Sequence, residues 1–191
     1  MKISAKLSLI VFFALSLIIK SCETNKDQEI ELNKFYAIIE IPAGTNKKFE
    51  YDHNSNDFKC EIINGEERTI NYLPYPANYG FITNTYMEPL LGGDGDPLDV
   101  LVLEEAIPTG QKIKIQPLAI IKLLDSGEED HKIIAIPSKS KIKRFKKGLP
   151  KSVKDIISIW FCNYKNDSTI KFLEWGNQKQ AIEEINKWKI K

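Results

Sequence analysis

The sequence predicts a mainly β domain, a closed or partly closed antiparallel barrel with two helices packed against it. Three observations carry that expectation. From Phe35 to about Ile136 the chain is a series of short segments rich in β-branched and aromatic residues. Turn-forming pairs such as Asn64-Gly65 and Ser126-Gly127 punctuate these segments. Past that point the apolar residues change to a helical spacing.

Taken in order, the first element is not part of the domain. In Met1 to Ser21, Lys2 and Lys6 precede the apolar run Leu7 to Ile19, the layout of a secretory leader. That run is too short to span a bilayer comfortably. It ends at Cys22, the position of a lipidated cysteine, and residues 22–33 read as a polar, charged tether ahead of a domain at 34–191. The predicted strands are Phe35 to Ile41, Phe49 to Asp52, Phe58 to Ile63, Asp99 to Leu103, Lys112 to Leu124 and Lys132 to Ile136. Pro108, Thr109 and Gly110 mark one further turn. Val153, Ile156, Ile157, Trp160 and Phe161 form an apolar stripe over a helix from Ser152 to Cys162. Ala181, Ile182, Ile185 and Trp188 do the same from Asn177 to Trp188. The three tryptophans, Trp160, Trp175 and Trp188, are read as core.

The 191 residues suit one domain with a single core once the leader is set aside. Removing the leader takes away three lysines and leaves 24 basic against 26 acidic residues, so no overall charge draws the protein to nucleic acid. With Cys22 lipidated, Cys60 and Cys162 remain as an even pair in an oxidising compartment; a disulfide stays open, but spacing alone cannot bring them within bonding distance and they are read as two unpaired buried thiols. The dense basic stretch Lys139 to Lys147 is a solvated loop, or a surface attracted to anionic headgroups. His53 and His131 have no ligand spacing between them, which argues against zinc.

The chemistry concentrates in Asp94-Gly95-Asp96-Pro97-Leu98-Asp99, which follows Gly92-Gly93 and leads into the apolar run Val100 to Leu103. Glycines let the backbone approach a ligand and Pro97 stiffens the turn, so three carboxylates are presented on a short rigid segment. Oxygen-only donors favour Mg²⁺, Mn²⁺ or Ca²⁺. In a strand from Leu98, Asp99 shares a side with Leu101 and Leu103, and a carboxylate beside an apolar face needs a partner. An EF-hand would match Asp94, Asp96 and Glu105, but Asp99 stands where that loop requires glycine.

This motif resembles the signature of the soluble family I inorganic pyrophosphatases. Four further blocks follow the same family in order: Ile38 to Glu50 (IIEIPAGTNKKFE), Tyr75 to Phe81 (YPANYGF), Asp125 to Pro137 (DSGEEDHKIIAIP) and Phe161 to Lys165 (FCNYK). The resemblance implies an OB-like five-stranded antiparallel barrel with helices against it, and hydrolysis of diphosphate to two phosphates by a metal-activated water. It implies several Mg²⁺ ions per site, with Mn²⁺ as a substitute, held by Asp94, Asp99, Asp125 and Asp130, with Glu40 and Glu50 supporting. It assigns Asp96 as the base. Lys48, Arg68, Tyr79, Lys132, Tyr164 and Lys165 become phosphate contacts and Tyr75 a hydrogen-bonding group in the pocket. A homo-oligomer is implied as well. Read without the family, Asp125 and Asp130 also suit a turn, Tyr75 and Tyr79 a rigid aromatic turn, and Lys48 with Glu50 an exposed ion pair. Two departures stand out: Tyr86 to Leu91 lengthens the connection from Tyr79 to Asp94, and Arg68 lies about one residue nearer Tyr79 than the pattern. The leader implies a lipid-anchored protein of the bacterial envelope, against the cytoplasmic location usual for the family. Two other functions stay open on sequence: a non-catalytic metal- or phosphate-binding lipoprotein, and a hydrolase of polyphosphate or nucleotides on the same scaffold.

Overall fold

The computed structural model describes residues 34–52, 55–142, 144–145, 148–165 and 167–190. Phe35–Lys191 packs as one unit. The leader, the tether and Cys22 lie outside the described residues, as does His53.

Five strands close on themselves. β1 (Phe35–Ile41) pairs with β6 (Asn78–Ile82), β6 with β7 (Asp99–Val102), β7 with β10 (Lys132–Pro137), β10 with β8 (Lys112–Asp125), and β8 returns to β1. Four seams are antiparallel and one, β7 with β10, is parallel, where the sequence reading expects antiparallel pairing throughout. The parallel seam explains the unbroken apolar run after Asp99. Val100, Leu101 and Val102 are all buried, because both faces of this strand are covered.

β8, at 14 residues, is long enough to outreach the barrel, and its far half carries β11 (Ile170–Gly176) and the short β9 (Glu128–Glu129). Two small hairpins, β2 (Phe49–Asp52) with β3 (Asp57–Cys60) and β4 (Ile62–Ile63) with β5 (Glu66–Glu67), branch off between β1 and β6. The predicted strand Phe58 to Ile63 is thus split at Glu61. Asn64 and Gly65 both take positive φ, as a tight hairpin turn requires.

Helix α1 (Lys151–Asn163) buries Ile157, Trp160 and Phe161 against Leu101, Ile121, Ile134 and neighbouring residues. Helix α2 (Gln178–Lys187) buries Ala181 and Ile185 in a second cluster with Ala37, Ile39, Val100, Val102 and Ile133. Asn177 starts α2 through a capping box with Gln180, which satisfies backbone donors at both ends of the first turn. Both helices fall within a residue or so of their predicted bounds.

Four strands escape the sequence pattern: the two-residue β5 and β9, and the longer β6 and β11. β6 begins inside Pro-Ala-Asn-Tyr-Gly, a turn-like composition, and it is a strand because Gly80 faces Ile39 across the ladder. A Cβ there would stand 2.0 Å from the Ile38 carbonyl oxygen. β11 is exposed along most of its length, so its residues carry no alternation to read. Cys60 and Cys162 are free thiols. No helix among the described residues is long and apolar enough to cross a membrane.

Candidate active site

All fourteen residues singled out for the site line one cavity of about 310 Å³. The elements deliver them from every side. Glu40 comes from β1, Glu50 from β2, Tyr79 from β6, Asp99 from β7, Asp125 from the end of β8 and Lys132 from β10. Lys48, Arg68, Tyr75, Asp94, Asp96 and Asp130 stand on the connections, and Tyr164 with Lys165 follows α1.

The parallel seam sets the centre. Ile133 pairs with Val100, which puts Lys132 beside Asp99. The Lys132 ammonium lies between the carboxylates of Asp99 and Asp130 and pairs with both. Tyr79 donates its hydroxyl to Asp99 at 2.5 Å. Asp99 therefore has the partners that its place beside an apolar face demands. Lys165 pairs with Asp125, and Lys48 stands 2.5 Å from Glu50.

The acidic loop is shaped by its own backbone. Gly95 has φ +86°, Met87 donates to the Asp96 carbonyl at 2.8 Å and Gly95 donates to Met87 at 2.9 Å. Asp94 accepts the Asp96 N–H at 3.0 Å, closing a turn of the kind Asx residues favour. The longer connection is used here, for residues 87 and 88 form the rail that holds the loop. A Cβ on Gly93 would meet the Met87 carbonyl at 2.4 Å. Of the seven carboxylates on the cavity, Asp96 has no hydrogen bond or ion pair to its side chain among the described residues. Glu40 accepts from Tyr51 N–H at 3.0 Å, and the others are engaged as above.

An aromatic series backs the tyrosines. Tyr79, Tyr75 and Trp160 follow one another at 5.5 and 4.7 Å, and Trp160 stacks on Tyr164 at 4.6 Å and 4°. Trp160 is core, as the sequence suggests, but its ring also sets the position of two cavity hydroxyls. Phe49, Tyr51, Phe81, Pro97 and Phe161 complete the lining, and the sequence reading assigns none of them a contact with ligand. Strand parity offers a signal for two of them, since Phe81 shares a face with Tyr79 and Tyr51 with Phe49.

Electrostatics follow from this crowding. Burial, with the charges of Asp99 and Glu50, pushes Glu40 up to about 8 against the pull of the Tyr51 N–H. Burial also raises Asp99, although Lys132 and Tyr79 oppose it. Asp94 is raised by desolvation and by Asp96. Lys132 is driven well above the usual lysine range, because the attraction of Asp99 and Asp130 outweighs its burial. Lys165 holds Asp125 down despite partial burial. Burial lifts Tyr164 to about 12 and Tyr75 higher still, so both stay hydroxyl donors.

The Glu40 shift has a checkable consequence. The folded carboxyl keeps its proton up to about 8 while the unfolded one releases it near 4.5, so its contribution to stability is full below 4.5 and lost as pH rises through 8. Glu40→Gln in chelator is expected to be more stable than wild type above pH 8, on the order of 2–4 kcal/mol, with the gap closing on acidification. Parallel melting curves across pH would reject this if the gap did not change with pH.

Seven carboxylates face four cations, Lys48, Arg68, Lys132 and Lys165, on the cavity wall. That excess of negative charge, built entirely of hard oxygen donors, suits divalent cations such as Mg²⁺. As the side chains stand, no three carboxylates among the described residues converge on one ion position. The lysines occupy them instead: Lys132 takes Asp99 and Asp130, and Lys165 takes Asp125.

Comparison with known proteins agrees with the fold. A family model described as inorganic pyrophosphatase matches residues 37–191. An inorganic pyrophosphatase of Saccharolobus solfataricus is 36% identical over 166 residues, covering 82% of this chain and 89% of the relative. One from Halalkalibacterium halodurans is 40% identical over 144 residues, 72% of this chain and 80% of the relative. Among solved structures, the Thermus thermophilus inorganic pyrophosphatase superimposes with a TM-score of 0.69 at 27% identity, covering 81% and 88% of the two chains. A vacuolar soluble pyrophosphatase of Trypanosoma cruzi, solved with PPi, gives 0.74 at 29% identity over 82% of this chain and 67% of that one. With its five-strand barrel, its acid-and-cation cavity and these relatives, the chain belongs to the inorganic pyrophosphatase family.

Proposed function

We propose that the acid-and-cation cavity is the active centre of an inorganic diphosphatase, and that the chain hydrolyses diphosphate to two phosphates there. The observation that carries this is the meeting of fourteen dispersed residues, seven acids, four cations and three tyrosines, on one cavity. In this reading Asp94, Asp99, Asp125 and Asp130 would hold Mg²⁺, with Glu40 and Glu50 alongside. When bound, such ions neutralise phosphoryl oxygens and lower the pKa of water.

The chain's own groups do the rest. Asp96, whose carboxylate has no partner among the described residues, accepts the proton of the attacking water. Lys132 and Lys165, exchanged from their carboxylates, turn to phosphoryl oxygens, and Arg68 offers a bidentate fork beside the point charge of Lys48. Tyr75, Tyr79 and Tyr164 donate hydrogen bonds from fixed rings. Phosphoryl transfer asks chiefly for such positioning and charge stabilisation.

The test is phosphate release from diphosphate, ATP and tripolyphosphate at varied Mg²⁺. Preference for diphosphate is expected, with Mn²⁺ a partial substitute and Ca²⁺ inhibitory, because the larger ion polarises water less. Full turnover in excess chelator would remove metal from the reading. No phosphate release from any of the three would favour the binding-lipoprotein alternative.

A lipid on Cys22 belongs to the same proposal, supported by Lys2, Lys6 and the run Leu7 to Ile19 that ends there. Cys22→Ser is expected to abolish lipid labelling and release the protein from the membrane fraction. Wild-type protein that carries no lipid, with retention unchanged in the variant, would overturn it. Self-association is supported by Ile156 and Ile159 on α1 and Phe172 and Leu173 on β11, all exposed. Sedimentation of the domain tests it.

A further inference from the structure

Lys48 and Arg68 reach the cavity from segments separated by both small hairpins, and a third residue ties them together. Lys48 N–H donates to the Arg68 carbonyl at 3.1 Å, Glu61 N–H to the Lys48 carbonyl at 2.8 Å, and Arg68 N–H to the Glu61 carbonyl at 2.7 Å. These three bonds close a ring. The side chains repeat the connection: Glu61 Oε2 accepts from the Arg68 guanidinium at 2.7 Å and stands 3.1 Å from Lys48 Nζ. Glu61 is not among the residues lining the cavity, so its carboxylate reaches both cations from outside the wall they form. Its place is set by the break between β3 and β4, where the chain leaves one hairpin and enters the next.

We infer that Glu61 is a positioning residue for diphosphate, whose single carboxylate oxygen holds the Lys48 ammonium and the Arg68 guanidinium side by side as a preformed two-cation clamp. The inference rests on the reading of those two cations as phosphate contacts. Two long cationic side chains repel one another and lose many rotamers when an anion gathers them. An acceptor already placed between them removes most of that cost before substrate arrives. The hydrogen bonds are charge-assisted, and both partners hold the Glu61 carboxyl below its ordinary range despite partial burial. Nothing in the acidic motif announces this residue. It becomes visible only when the hairpins fold back and bring three distant positions into one ring.

The test compares wild type with Glu61→Ala, Glu61→Leu and Glu61→Gln, reading kcat, KM for diphosphate at saturating Mg²⁺, product inhibition by inorganic phosphate, and Tm. Ala and Leu lack the acceptor and are expected to raise KM and the phosphate inhibition constant about tenfold, with kcat within about threefold of wild type. Gln keeps an acceptor oxygen and is expected to stay within about threefold on every parameter. Leu retains side-chain bulk, so the measurement survives if Ala folds poorly. Removal of a negative charge alone would lower KM in all three variants, and a merely structural residue would lower Tm with KM unmoved; either result overturns the clamp. Lys48→Ala and Arg68→Ala run alongside. If they raise KM and the Glu61 variants do not, the clamp falls alone. If they leave KM unchanged, the reading of the two cations as phosphate contacts falls with it.

Discussion

Asp96→Asn is expected to lower turnover by roughly a hundredfold or more, the usual loss for a positioned base, with fold and metal affinity close to wild type. The expectation rests on contrast within the cavity. Asp99 is engaged by Tyr79 and Lys132, Asp130 by Lys132, Asp125 by Lys165 and Glu50 by Lys48. Asp94 spends an oxygen on the Asp96 N–H, and Asp96 keeps both of its own oxygens for the reaction. Asp99→Asn is expected to differ in kind. Loss of an ion-holding carboxylate weakens Mg²⁺ binding, so much of its defect is recovered at high Mg²⁺, while the Asp96 defect persists. Kinetics over a wide Mg²⁺ range separate the two. Equal rescue of both variants would make Asp96 another ligand and place the base elsewhere.

Lys132→Met should give the largest loss of stability. Its side chain is only 5% exposed and lies between two carboxylates that are themselves mostly buried, at 24% and 20%. Removing the cation leaves Asp99 and Asp130 facing one another without a compensating charge, with only the Tyr79 hydroxyl still bonded to Asp99. Breaking a buried ion pair in this way costs about 3–5 kcal/mol, and the residual exposure of the acids points to the lower end. The loss should appear in chelator and shrink in Mg²⁺, because the two freed carboxylates then take an ion. Denaturant unfolding with and without Mg²⁺ reads both effects. A variant as stable as wild type in chelator would show that Lys132 is not the ion that balances this cluster. Activity should fall as well and stay low at any Mg²⁺ concentration, since the phosphate contact is gone.

The helices, most of the barrel strands and the acidic turn could be read from the chain because their signals are local, whereas the other cavity residues were expected only through resemblance to the family. β1 alternates buried and half-buried residues along its whole length, and α2 starts at a capping box that spans only Asn177 to Gln180. The turn Asp94-Gly95-Asp96-Pro97 states its donor chemistry in its own composition. The direction of the β7–β10 seam was not legible: the unbroken apolar runs Val100 to Leu103 and Ile133 to Ile136 mark strands covered on both faces, but parallel or antiparallel pairing depends on the crossover between them. β6 was not legible either. Its glycine answers a close approach of β1 that exists only after folding.

The chain alone carries the chemical inventory: hard oxygen donors on a stiff loop, three lysines and three tyrosines in ordered blocks with Arg68 between two of them, and a β chain ending in helices. Tertiary structure alone decided who meets whom. Lys132 neutralises Asp99 because a parallel register sets those strands side by side. Trp160 fixes Tyr75 and Tyr164 because α1 packs across the barrel, and Glu61 joins Lys48 to Arg68 because two hairpins close on one point. The difference is one of range. Propensity and periodicity act between neighbours in the chain, whereas ion pairing and ring contact act between neighbours in space.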